Sequence, residues 1–512
     1  MNVFRKYGPP LIVNTSAAMV LIALRFFHFG PELDNPHVWR QSDVAFVIRD
    51  FYRHGVDLLH PAVCWMGNHK TLIFDFPIYQ AITALLSGLM GPSLITARLV
   101  ALMFFVFSAR YLYLIAVELL DIPSGRVALL IYLITPLSLF YSRAVHVDFT
   151  AMCFSLGMTY HYLLAIRNNN MKHLLIGTAL ALFAWLVKAP YVFYMVFPLA
   201  WEYFRQPNKK WLLFRSPLLL IPIAAFWAWT RHVYQVNGEA PDWHFIPNYR
   251  LFNDNSHWYY GTWQQRTDPE NWLLLIRRLQ NEAAGWITSG LAILGVFFSL
   301  RIKKNATLLL WLLGVVVYLV IFFNLNVIHN YYQIPFVPLI AIFASVGIQR
   351  GLAFASRSDK RLTIAIILMA ITGENLLFAE QNYYGKPDGL YSVGHVINQE
   401  TPPNSLVLVS SGGLTVHCPI ILYAADRTGW SVPAQDLSAK IALKLYQEGC
   451  RYIILHRPDL PGGEFEQFIT YFSWKKVMAP DEQEVIICDM TKKADGSPYN
   501  GFDNTPSVND TP

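Results

Sequence analysis

Eleven strongly apolar stretches run along the 512-residue chain, and the short loops that join them alternate in charge. A helix that crosses a bilayer needs about 20 mostly apolar residues, so we predict spans near residues 11–29, 94–117, 127–141, 149–166, 173–187, 190–205, 214–231, 286–300, 306–325, 331–350 and 362–379. Every second loop is basic, at Arg126 and at residues 167–172, 205–215, 301–304 and 350–361. Because Lys and Arg accumulate in cytoplasmic loops, this alternation predicts a polytopic α-helical membrane protein with its basic loops in the cytoplasm.

The composition agrees with a membrane protein and argues against nucleic acid as a partner. Hydrophobic residues make up 54% of the chain and charged residues 14%, against about 25% charged residues in soluble domains. The net charge of +6 is explained by the basic loops. The first apolar run lacks a small-residue cleavage site, so we interpret it as a retained helix rather than a removed signal peptide.

Two loops on the outer side of the membrane, residues 30–93 and 232–285, are long enough to form structure of their own. Within the first loop, residues 76–91 are apolar but short, and a span there would invert every later loop. We therefore predict that this segment forms an outer-surface or re-entrant helix. Although cysteines on the outer side can form disulfides, no disulfide is predicted from the five cysteines of the chain.

The segment after residue 380 differs in composition, with fewer apolar residues and more Gly, Pro and Ser. NSLVLVSS, GWSV, RYIILH and EVIICD are typical of short strands, and SAKIALKLYQEGC is typical of an amphipathic helix that ends at Gly. We therefore predict a transmembrane module at 1–380 and a small soluble α/β domain at 381–490 on the outer side. The polar residues 491–512 are predicted to form a disordered tail.

Asp43 lies in WRQSDVAFVIRDFYRHG, directly after the first predicted span. Val44, Val47 and Ile48 recur at helical spacing, which predicts an amphipathic helix along the membrane surface. One interpretation makes Ser42 or Asp43 the N-cap of that helix. The other makes Asp43 a base that deprotonates an incoming hydroxyl group at the surface of the bilayer.

A second acid, Asp148, follows the third predicted span in YSRAVHVD. Ionisable groups between apolar helices are costly unless they are paired or functional. Arg143 and Asp148 therefore form either an interfacial ion pair or part of a site. Lys188, in WLVKAPY, either extends its ammonium group to the lipid headgroups or binds an anion.

Two further sets of polar residues lie at the outer ends of spans. Arg231 ends the seventh span, and NVIHNYYQIPFVP places His329 and Tyr332 on a turn before a Pro-containing helix. Tyr residues at an interface usually belong to an aromatic belt, so this motif indicates a functional site only in combination with Asp43, Asp148 and Lys188. A leaving phosphate needs positive charge where its own charge develops, and Lys188, Arg143 and Arg231 are candidates to supply it.

Five of these pieces occur in an order that resembles one known family: WRQSDVA, DFPIYQ, YSRAVHVD, WLVKAPY and HNYYQIPFVPLIA. They are similar to motifs of the polyprenyl-phosphate-sugar-dependent membrane glycosyltransferases of the C-type (GT-C) fold. That family includes the bacterial aminoarabinose-lipid A transferases and the protein O-mannosyltransferases. The resemblance covers residues 1–380, and it implies that Asp43 is the catalytic base and that Asp148 helps to shape the acceptor or donor site.

The chain departs from the aminoarabinose transferases at one position. Those enzymes carry an acid–lysine pair just before the proline that opens the short outer helix, whereas here Asp75 is followed by Phe76. The nearest cation in the sequence is Lys70. The resemblance therefore implies a phosphate site rebuilt from Lys70, Lys188 or Arg231, and it does not assign aminoarabinose as the sugar.

The residues and the resemblance together predict a glycosyltransferase at the outer, periplasmic face of a bacterial inner membrane. It would transfer a hexose or pentose from a polyprenyl-phosphate-sugar to a hydroxyl group of a lipid, glycan or protein acceptor. Asp43 would act as general base in a single inverting displacement. No cofactor is expected, and a divalent metal ion that bridges Asp43 and the phosphate is an open alternative.

A transporter or flippase of lipid-linked sugars is the alternative function. Such proteins carry ionisable residues near mid-membrane, in helices interrupted by Gly or Pro, and are often built from two repeats. In this sequence Arg110 is the one clear intramembrane charge, and duplicated halves are absent. Both observations favour the enzyme. A scaffold whose outer domain binds partners in the cell envelope is a third interpretation.

Overall fold

The computed structural model describes residues 12–241, 243–247, 249, 256–386, 389–411, 415–456 and 464–499. Within these residues, each of the eleven apolar segments is helical. The α-helices are α1 (Ile12–Ala23), α2 (Val38–His54), α3 (Ile78–Met90), α4 (Leu94–Leu119), α5 (Ile122–Ile134), α6 (Pro136–Tyr141), α7 (Asp148–Asn168), α8 (Met171–Lys188), α9 (Pro190–Phe193), α10 (Val196–Arg205), α11 (Lys210–Leu213), α12 (Ser216–Gly238), α13 (Ser256–Tyr260), α14 (Trp263–Thr267), α15 (Pro269–Arg278), α16 (Trp286–Leu300), α17 (Ala306–Ile321), α18 (Phe323–Ile328), α19 (Val337–Gly351), α20 (Arg357–Asn382), α21 (Leu390–Glu400), α22 (Ile420–Ala425), α23 (Ala439–Gln447) and α24 (Glu464–Thr470).

Six helical segments of the described residues are long and apolar enough to cross a membrane: Leu94–Leu119, Asp148–Asn168, Met171–Lys188, Lys303–Ile321, Asn330–Gly351 and Ser358–Asn382. A seventh span results if Pro269–Ala284 and α16 count as one, although they are bent by 100°. The chain is therefore a multi-pass membrane protein, as predicted. The number eleven stays a prediction, because helices such as α5 are too short to cross about 30 Å without a neighbouring turn.

Helices α7 and α8 run in opposite directions, since Asp148 at the start of α7 contacts Lys188 at the end of α8. We call the end that carries these two residues the site end, and the opposite end the basic end. Helix α7 runs from Asp148 at the site end to Arg167 at the basic end. At the basic end, Arg167 donates two hydrogen bonds of 2.9 Å to the buried Glu202 carboxylate. Thr307 donates a third over 2.5 Å. One buried acid thus joins α7, α10 and the start of α17 beside the basic loops.

Helices α16 and α19 pack against each other with almost no space between their backbones. A Cβ atom on Gly295 would lie 1.8 Å from the Phe343 carbonyl oxygen, and one on Gly347 would lie 2.2 Å from the Leu291 carbonyl oxygen. Small residues at helix contacts allow this approach inside a membrane. The pair supports the turn that precedes α19, which carries part of the site.

The apolar segment predicted to lie outside the spans forms the 13-residue helix α3. At about 1.5 Å per residue it is too short to cross a bilayer by itself. Its Leu85, Leu89 and Met90 side chains are exposed, whereas its opposite side packs against α2 and α4. The placement on the outer surface stays a prediction.

The C-terminal segment forms a five-stranded sheet, which confirms the predicted small α/β domain. The strands are β1 (Leu406–Ser411), β2 (Thr428–Pro433), β3 (Cys450–His456), β4 (Phe472–Met478) and β5 (Glu484–Lys493). Their order is β2-β1-β3-β5-β4, in which β1 pairs in parallel with β2 and β3, whereas β5 is antiparallel to β3 and β4. Strand β4 was not predicted from the sequence, because it is a half-exposed edge strand with few buried residues.

The predicted start of the disordered tail at residue 491 is wrong. Strand β5 continues to Lys493, and Lys492 forms an antiparallel bridge with Pro498. Tyr499 is buried, with its ring 5.0 Å from that of Phe472. Burial of this aromatic side chain holds the chain against the sheet beyond the predicted boundary. The rest of the predicted tail lies outside the described residues.

Candidate active site

Asp43 does not cap its helix. Helix α2 begins at Val38 with His37 as the N-cap residue, so Asp43 lies in the second turn. The interpretation of Ser42 or Asp43 as an N-cap is therefore wrong, because the helix starts several residues earlier than the hydrophobic spacing indicated. The Asp43 side chain projects instead into the protein.

The environment of Asp43 suits a general base. Only 3% of the residue is exposed, and Trp65 Nε1 donates a 2.9 Å hydrogen bond to its Oδ1 atom. Arg40 Nη1 lies 4.0 Å from Oδ2. Burial raises the pKa of Asp43 to about 7, although Arg40 and the Trp65 hydrogen bond act in the opposite direction. A base works best when its pKa lies near the working pH.

Arg40 joins Asp43 to a second carboxylate. It donates a hydrogen bond to Asp75, which lies just before α3, and its guanidinium stacks on the Phe74 ring at 5.0 Å. Burial alone would lower the pKa of Arg40, but Asp75 and Asp43 outweigh it and raise that pKa. Arg40, Asp43, Asp75 and Gln80 line one small cavity. The cation that pairs with Asp75 thus comes from α2, and not from Lys70.

Asp148 forms a second buried polar cluster at the site end. Lys188 Nζ donates a 2.6 Å hydrogen bond to Asp148 Oδ1, and the Tyr191 hydroxyl donates to the same oxygen. His146 Nδ1 lies 2.5 Å from Oδ2. Lys188 is 8% exposed, so its ammonium group does not extend to the headgroups. The sequence alternative of a snorkelling lysine is wrong, because a buried partner holds the side chain.

Aromatic rings surround Lys188, and further rings pack against them in a row that leads away from its ammonium group. The ammonium group lies 4.1 Å from the centre of the Tyr332 ring and 4.7 Å from that of Tyr331. The His329 ring stacks on Tyr331 at 5.0 Å, and Trp258 from α13 lies 5.8 Å from His329. Burial lowers the pKa of His329 to about 2, so this imidazole is neutral and contributes no positive charge.

Electrostatic interactions connect the two clusters. Arg40 interacts with the hydroxyls of Tyr331 and Tyr332, and Asp75 interacts with Lys188. We name the combined set the buried polar cluster; it comprises Arg40, Asp43, Asp75, Asp148, Lys188, Tyr191, His329, Tyr331 and Tyr332. It therefore unites six of the residues predicted from the sequence: Asp43, Asp75, Asp148, Lys188, His329 and Tyr332.

Arg143 lies outside this cluster. Its guanidinium donates to Asp34 over 2.5 Å and to the His28 carbonyl over 2.9 Å, and it is fully buried. Arg98 Nη2 lies 3.6 Å from the other Asp34 oxygen. The alternative of an Arg143–Asp148 ion pair is wrong, because each residue has a different partner. Arg143 is thus committed to a structural contact.

Arg231 and Lys70 are exposed and also lie apart from the buried polar cluster. The Arg231 guanidinium lies 5.4 Å from the centre of the Trp227 ring, one turn earlier on α12. Lys70 lines a different pocket, with Arg49 and Asp426 among its neighbours. Of the three cations named for a rebuilt phosphate site, Lys70 therefore does not pair with Asp75, since Arg40 does.

The donor set around Asp43 does not fit a metal ion. Its two oxygens face the Trp65 N–H group and the Arg40 guanidinium, which are hydrogen-bond donors. Within the described part of the chain, no group of three or more His, Cys, Asp and Glu side chains has the arrangement of a metal site.

Comparisons with known proteins identify the fold that carries these residues. Residues 75–230 match the family model described as dolichyl-phosphate-mannose-protein mannosyltransferase. The solved structure of ArnT from Cupriavidus metallidurans, bound to undecaprenyl phosphate, matches with a TM-score of 0.58 and 14% sequence identity over 93% of this chain and 97% of ArnT. The chain has the fold of the C-type membrane glycosyltransferases. The resemblance inferred from its motifs is thus confirmed.

Two further structures share the C-type fold. Archaeal oligosaccharyltransferase AglB from Archaeoglobus fulgidus, in complex with an inhibitory peptide and a dolichol-phosphate, matches with a TM-score of 0.57 and 12% identity over 94% of this chain and 74% of AglB. Arabinofuranosyltransferase AftD from Mycobacteria matches with a TM-score of 0.50 and 13% identity over 96% of this chain and 40% of AftD. No curated protein sequence matches the chain significantly.

Several residues in and around the buried polar cluster were not singled out from the sequence. Arg40 precedes Asp43 by one helical turn, and this i, i+3 spacing of opposite charges was a usable signal. Trp65 and Tyr191 gave no such signal, because an aromatic residue near an interface usually belongs to a belt. Only the fold brings their polar atoms to Asp43 and Asp148.

Proposed function

We propose that the protein transfers a sugar from a polyprenyl-phosphate donor to an acceptor hydroxyl group, with Asp43 as general base. The observation that carries the proposal is the buried Asp43 carboxyl, whose pKa is raised to about 7, beside Arg40 in a C-type fold. The donor class is supported by two fold neighbours, ArnT bound to undecaprenyl phosphate and AglB in complex with a dolichol-phosphate.

The proposed reaction is a single displacement at the anomeric carbon. The acceptor oxygen forms a bond to this carbon while the bond to the phosphate oxygen breaks, and polyprenyl phosphate leaves with the bonding electron pair. Asp43 takes the hydroxyl proton as the new bond forms and later releases it to water. Attack from the side opposite the phosphate inverts the anomeric configuration. A positioned general base contributes about 10² to 10⁴ in rate.

Arg40 and Lys188 are the proposed phosphate-binding cations. Each is already paired with a carboxylate, Asp75 and Asp148 respectively, which holds the cation in place before the donor arrives. Preorganised charge of this kind stabilises a leaving phosphate without reorganisation during the reaction. Arg231, exposed on α12, is proposed to contact the donor outside the cluster. Arg143 is not part of the proposal, because its contacts with Asp34 and the His28 carbonyl lie outside the buried polar cluster.

We propose that the site end faces the periplasm of a bacterial inner membrane. The support is the separation of charge between the two ends of the spans. Arg167, Glu202 and Thr307 meet at one end, next to the basic loops 167–172, 205–215 and 301–304, whereas Asp148 and Lys188 lie at the other. Because short Lys- and Arg-rich loops stay in the cytoplasm, the site end belongs on the outer side.

The test is the release of polyprenyl phosphate by the purified full-length protein. A panel of hexosyl and pentosyl donors on polyprenyl phosphate is supplied together with lipid, glycan and peptide acceptors. Asp43→Asn is compared with Asp50→Asn, which changes a carboxylate two turns further along α2 that pairs only with His54 among the described contacts. We expect at least a hundredfold loss for Asp43→Asn and near-normal release for Asp50→Asn.

Equal release by the wild-type protein and Asp43→Asn would contradict the role of Asp43. A chelator arm tests the metal alternative, and full activity after chelation is expected. If no donor in the panel is consumed but lipid-linked sugar moves across a vesicle bilayer, the transporter alternative replaces the enzyme.

A further inference from the structure

A short piece of the first long loop pairs with the edge of the C-terminal sheet. Strand β2 lies at one edge of that sheet. The Gly429 N–H group of β2 donates to the Cys64 carbonyl over 2.9 Å, and the Gly67 N–H group donates to the Gly429 carbonyl over 2.7 Å. Residues 64–67 thus cover the outer edge of β2 through main-chain hydrogen bonds, as added strands do.

Trp65 lies between the two residues that form these hydrogen bonds, and its side chain contacts Asp43. Its indole N–H group donates to Asp43 Oδ1 over 2.9 Å, and its ring lies 5.0 Å from that of His417 in the C-terminal domain. Trp65 is 3% exposed. The loop therefore links the C-terminal domain directly to the carboxylate of Asp43.

A second contact holds the helix that carries Asp43. Arg53 of α2 donates two hydrogen bonds of 2.8 Å to the Asp426 carboxylate, which follows α22. Arg49 donates to the Tyr423 carbonyl over 3.0 Å and lies over the Tyr423 ring at 4.6 Å. Helix α2 is thus fixed by the C-terminal domain through one set of residues while Asp43 is oriented through the loop.

We propose that Trp65 is a positioning residue for Asp43, and that the C-terminal domain keeps it in place through the edge of β2. This inference rests on the proposed role of Asp43 as base. The indole N–H group binds Oδ1 and so leaves Oδ2 to take the proton of the acceptor. The C-terminal domain is then part of the apparatus for sugar transfer rather than a separate binding module.

The charged and titratable groups that face Asp43 come from every side. Arg40 lies on the same helix, Asp75 precedes α3, Cys64 lies in the loop and Cys418 lies in the C-terminal domain. The Trp65 hydrogen bond lowers the pKa of Asp43, because it stabilises the carboxylate form. Loss of the bond, with the other groups in place, should raise that pKa.

The first experiment compares Trp65→Phe with Trp474→Phe in the full-length protein. Phenylalanine keeps most of the ring packing but removes the N–H donor, and Trp474 is an exposed residue on β4, at the far edge of the sheet. The pKa of Asp43 is measured by infrared titration of its carboxyl band, assigned by its absence from Asp43→Asn. The pH profile of kcat/KM for polyprenyl phosphate release is recorded in parallel.

We expect Trp65→Phe to raise both the infrared pKa and the acid limb of the pH profile by about one unit. Trp474→Phe should change neither value. An unchanged infrared pKa in Trp65→Phe would overturn the inference. If the infrared pKa shifts but the pH profile does not, the role of Trp65 in positioning Asp43 is supported. The proposed role of Asp43 as general base is then contradicted.

The second experiment tests the link to the C-terminal domain. Gly67 has a φ of +59°, and a Cβ atom there would lie 2.1 Å from Trp430 of β2, so Gly67→Ala should push the loop off the sheet edge. Gly496→Ala is the control, because its φ of +83° imposes similar strain but nothing lies within 4 Å. We expect Gly67→Ala to shift the Asp43 pKa upward as Trp65→Phe does. A normal pKa in folded Gly67→Ala would overturn the role of the domain.

Discussion

The Lys188 ammonium group donates a 2.6 Å hydrogen bond to Asp148, and both side chains are buried at the site end of two antiparallel spans. Asp148 begins α7, and Lys188 ends α8. The pair therefore fixes the relative height of these two helices as well as the charge of the site. Removing one partner leaves the other as an uncompensated buried charge.

Lys188→Met should lower both stability and sugar transfer. Loss of one partner of a buried ion pair typically costs about 3–5 kcal/mol. Lys172→Met is the matched control, since Lys172 is exposed at the opposite end of α8. Thermal unfolding in detergent should show a clear decrease in Tm for Lys188→Met and little change for Lys172→Met. The double variant Asp148→Asn/Lys188→Met should recover part of the stability without recovering transfer.

Substitutions of Arg40 and Asp75 should shift the pH profile in opposite directions. Arg40 lowers the pKa of Asp43, whereas Asp75 raises it. Arg40→Gln should therefore move the acid limb of kcat/KM to higher pH, and Asp75→Asn should move it to lower pH. The measurement is polyprenyl phosphate release between pH 5 and 9 (roughly two units either side of a neutral pKa). Shifts in the same direction would show that the Arg40–Asp75 pair does not act on Asp43 through charge.

Asp43→Asn should stabilise the protein at alkaline pH. The pKa of Asp43 is about 7 in the fold and 3.8 for an ordinary aspartate, so the folded state binds an extra proton between these values. Stability from this group is fully present below the lower pKa and is lost as the pH rises through 7. The difference of about three units corresponds to at most roughly 4 kcal/mol.

The measurement for this prediction is the Tm of wild-type protein and Asp43→Asn at about pH 5.5 and pH 8.5 (about 1.5 units either side of neutral). The stability of Asp43→Asn relative to the wild-type protein should increase from the lower pH to the higher pH, where Asp43→Asn should be the more stable of the two. A wild-type protein that is the more stable of the two at the higher pH would contradict a buried carboxyl with a raised pKa.

Glu202→Gln should weaken the fold without changing the chemistry. Glu202 accepts hydrogen bonds from Arg167 and Thr307 at the basic end, away from the buried polar cluster. Replacing Glu202 leaves Arg167 with the Glu118 carboxylate at 4.0 Å in place of a closely paired buried carboxylate, which should lower the Tm. The kcat measured below the unfolding temperature and its pH profile should match the wild-type protein. A shifted pH profile would indicate that the two ends of the spans are coupled.

The sequence analysis was strongest where a single physical requirement determines a local pattern. The apolar segments became helices because a backbone in lipid must satisfy its own hydrogen bonds. Strands β1, β2, β3 and β5 were recognised because buried strands are short, mostly apolar runs between turns. Asp148 and Lys188 were predicted as site residues because ionisable groups next to apolar helices are costly unless they are paired or functional.

The choice of partners was not predictable from local patterns. Arg143 was expected near Asp148, yet it pairs with Asp34, which is distant from it in the sequence. Lys70 is close to Asp75 in sequence, but Arg40 from α2 pairs with Asp75. Each pairing depends on how far a helix rotates against its neighbours, and the hydrophobic pattern leaves that rotation open.

The amino-acid sequence by itself determined that this is a multi-pass membrane protein with a small C-terminal α/β domain and polar residues gathered at one end of its helices. These features follow from the free energy of apolar side chains and charges in lipid and water, which acts on each segment separately. Only the tertiary structure decided that Arg40 and Trp65 contact Asp43, and that Tyr191 donates a hydrogen bond to Asp148. It also decided that the edge of the sheet binds residues 64–67. Such contacts join residues distant in the chain, and their energy exists only after helices and sheet have packed together.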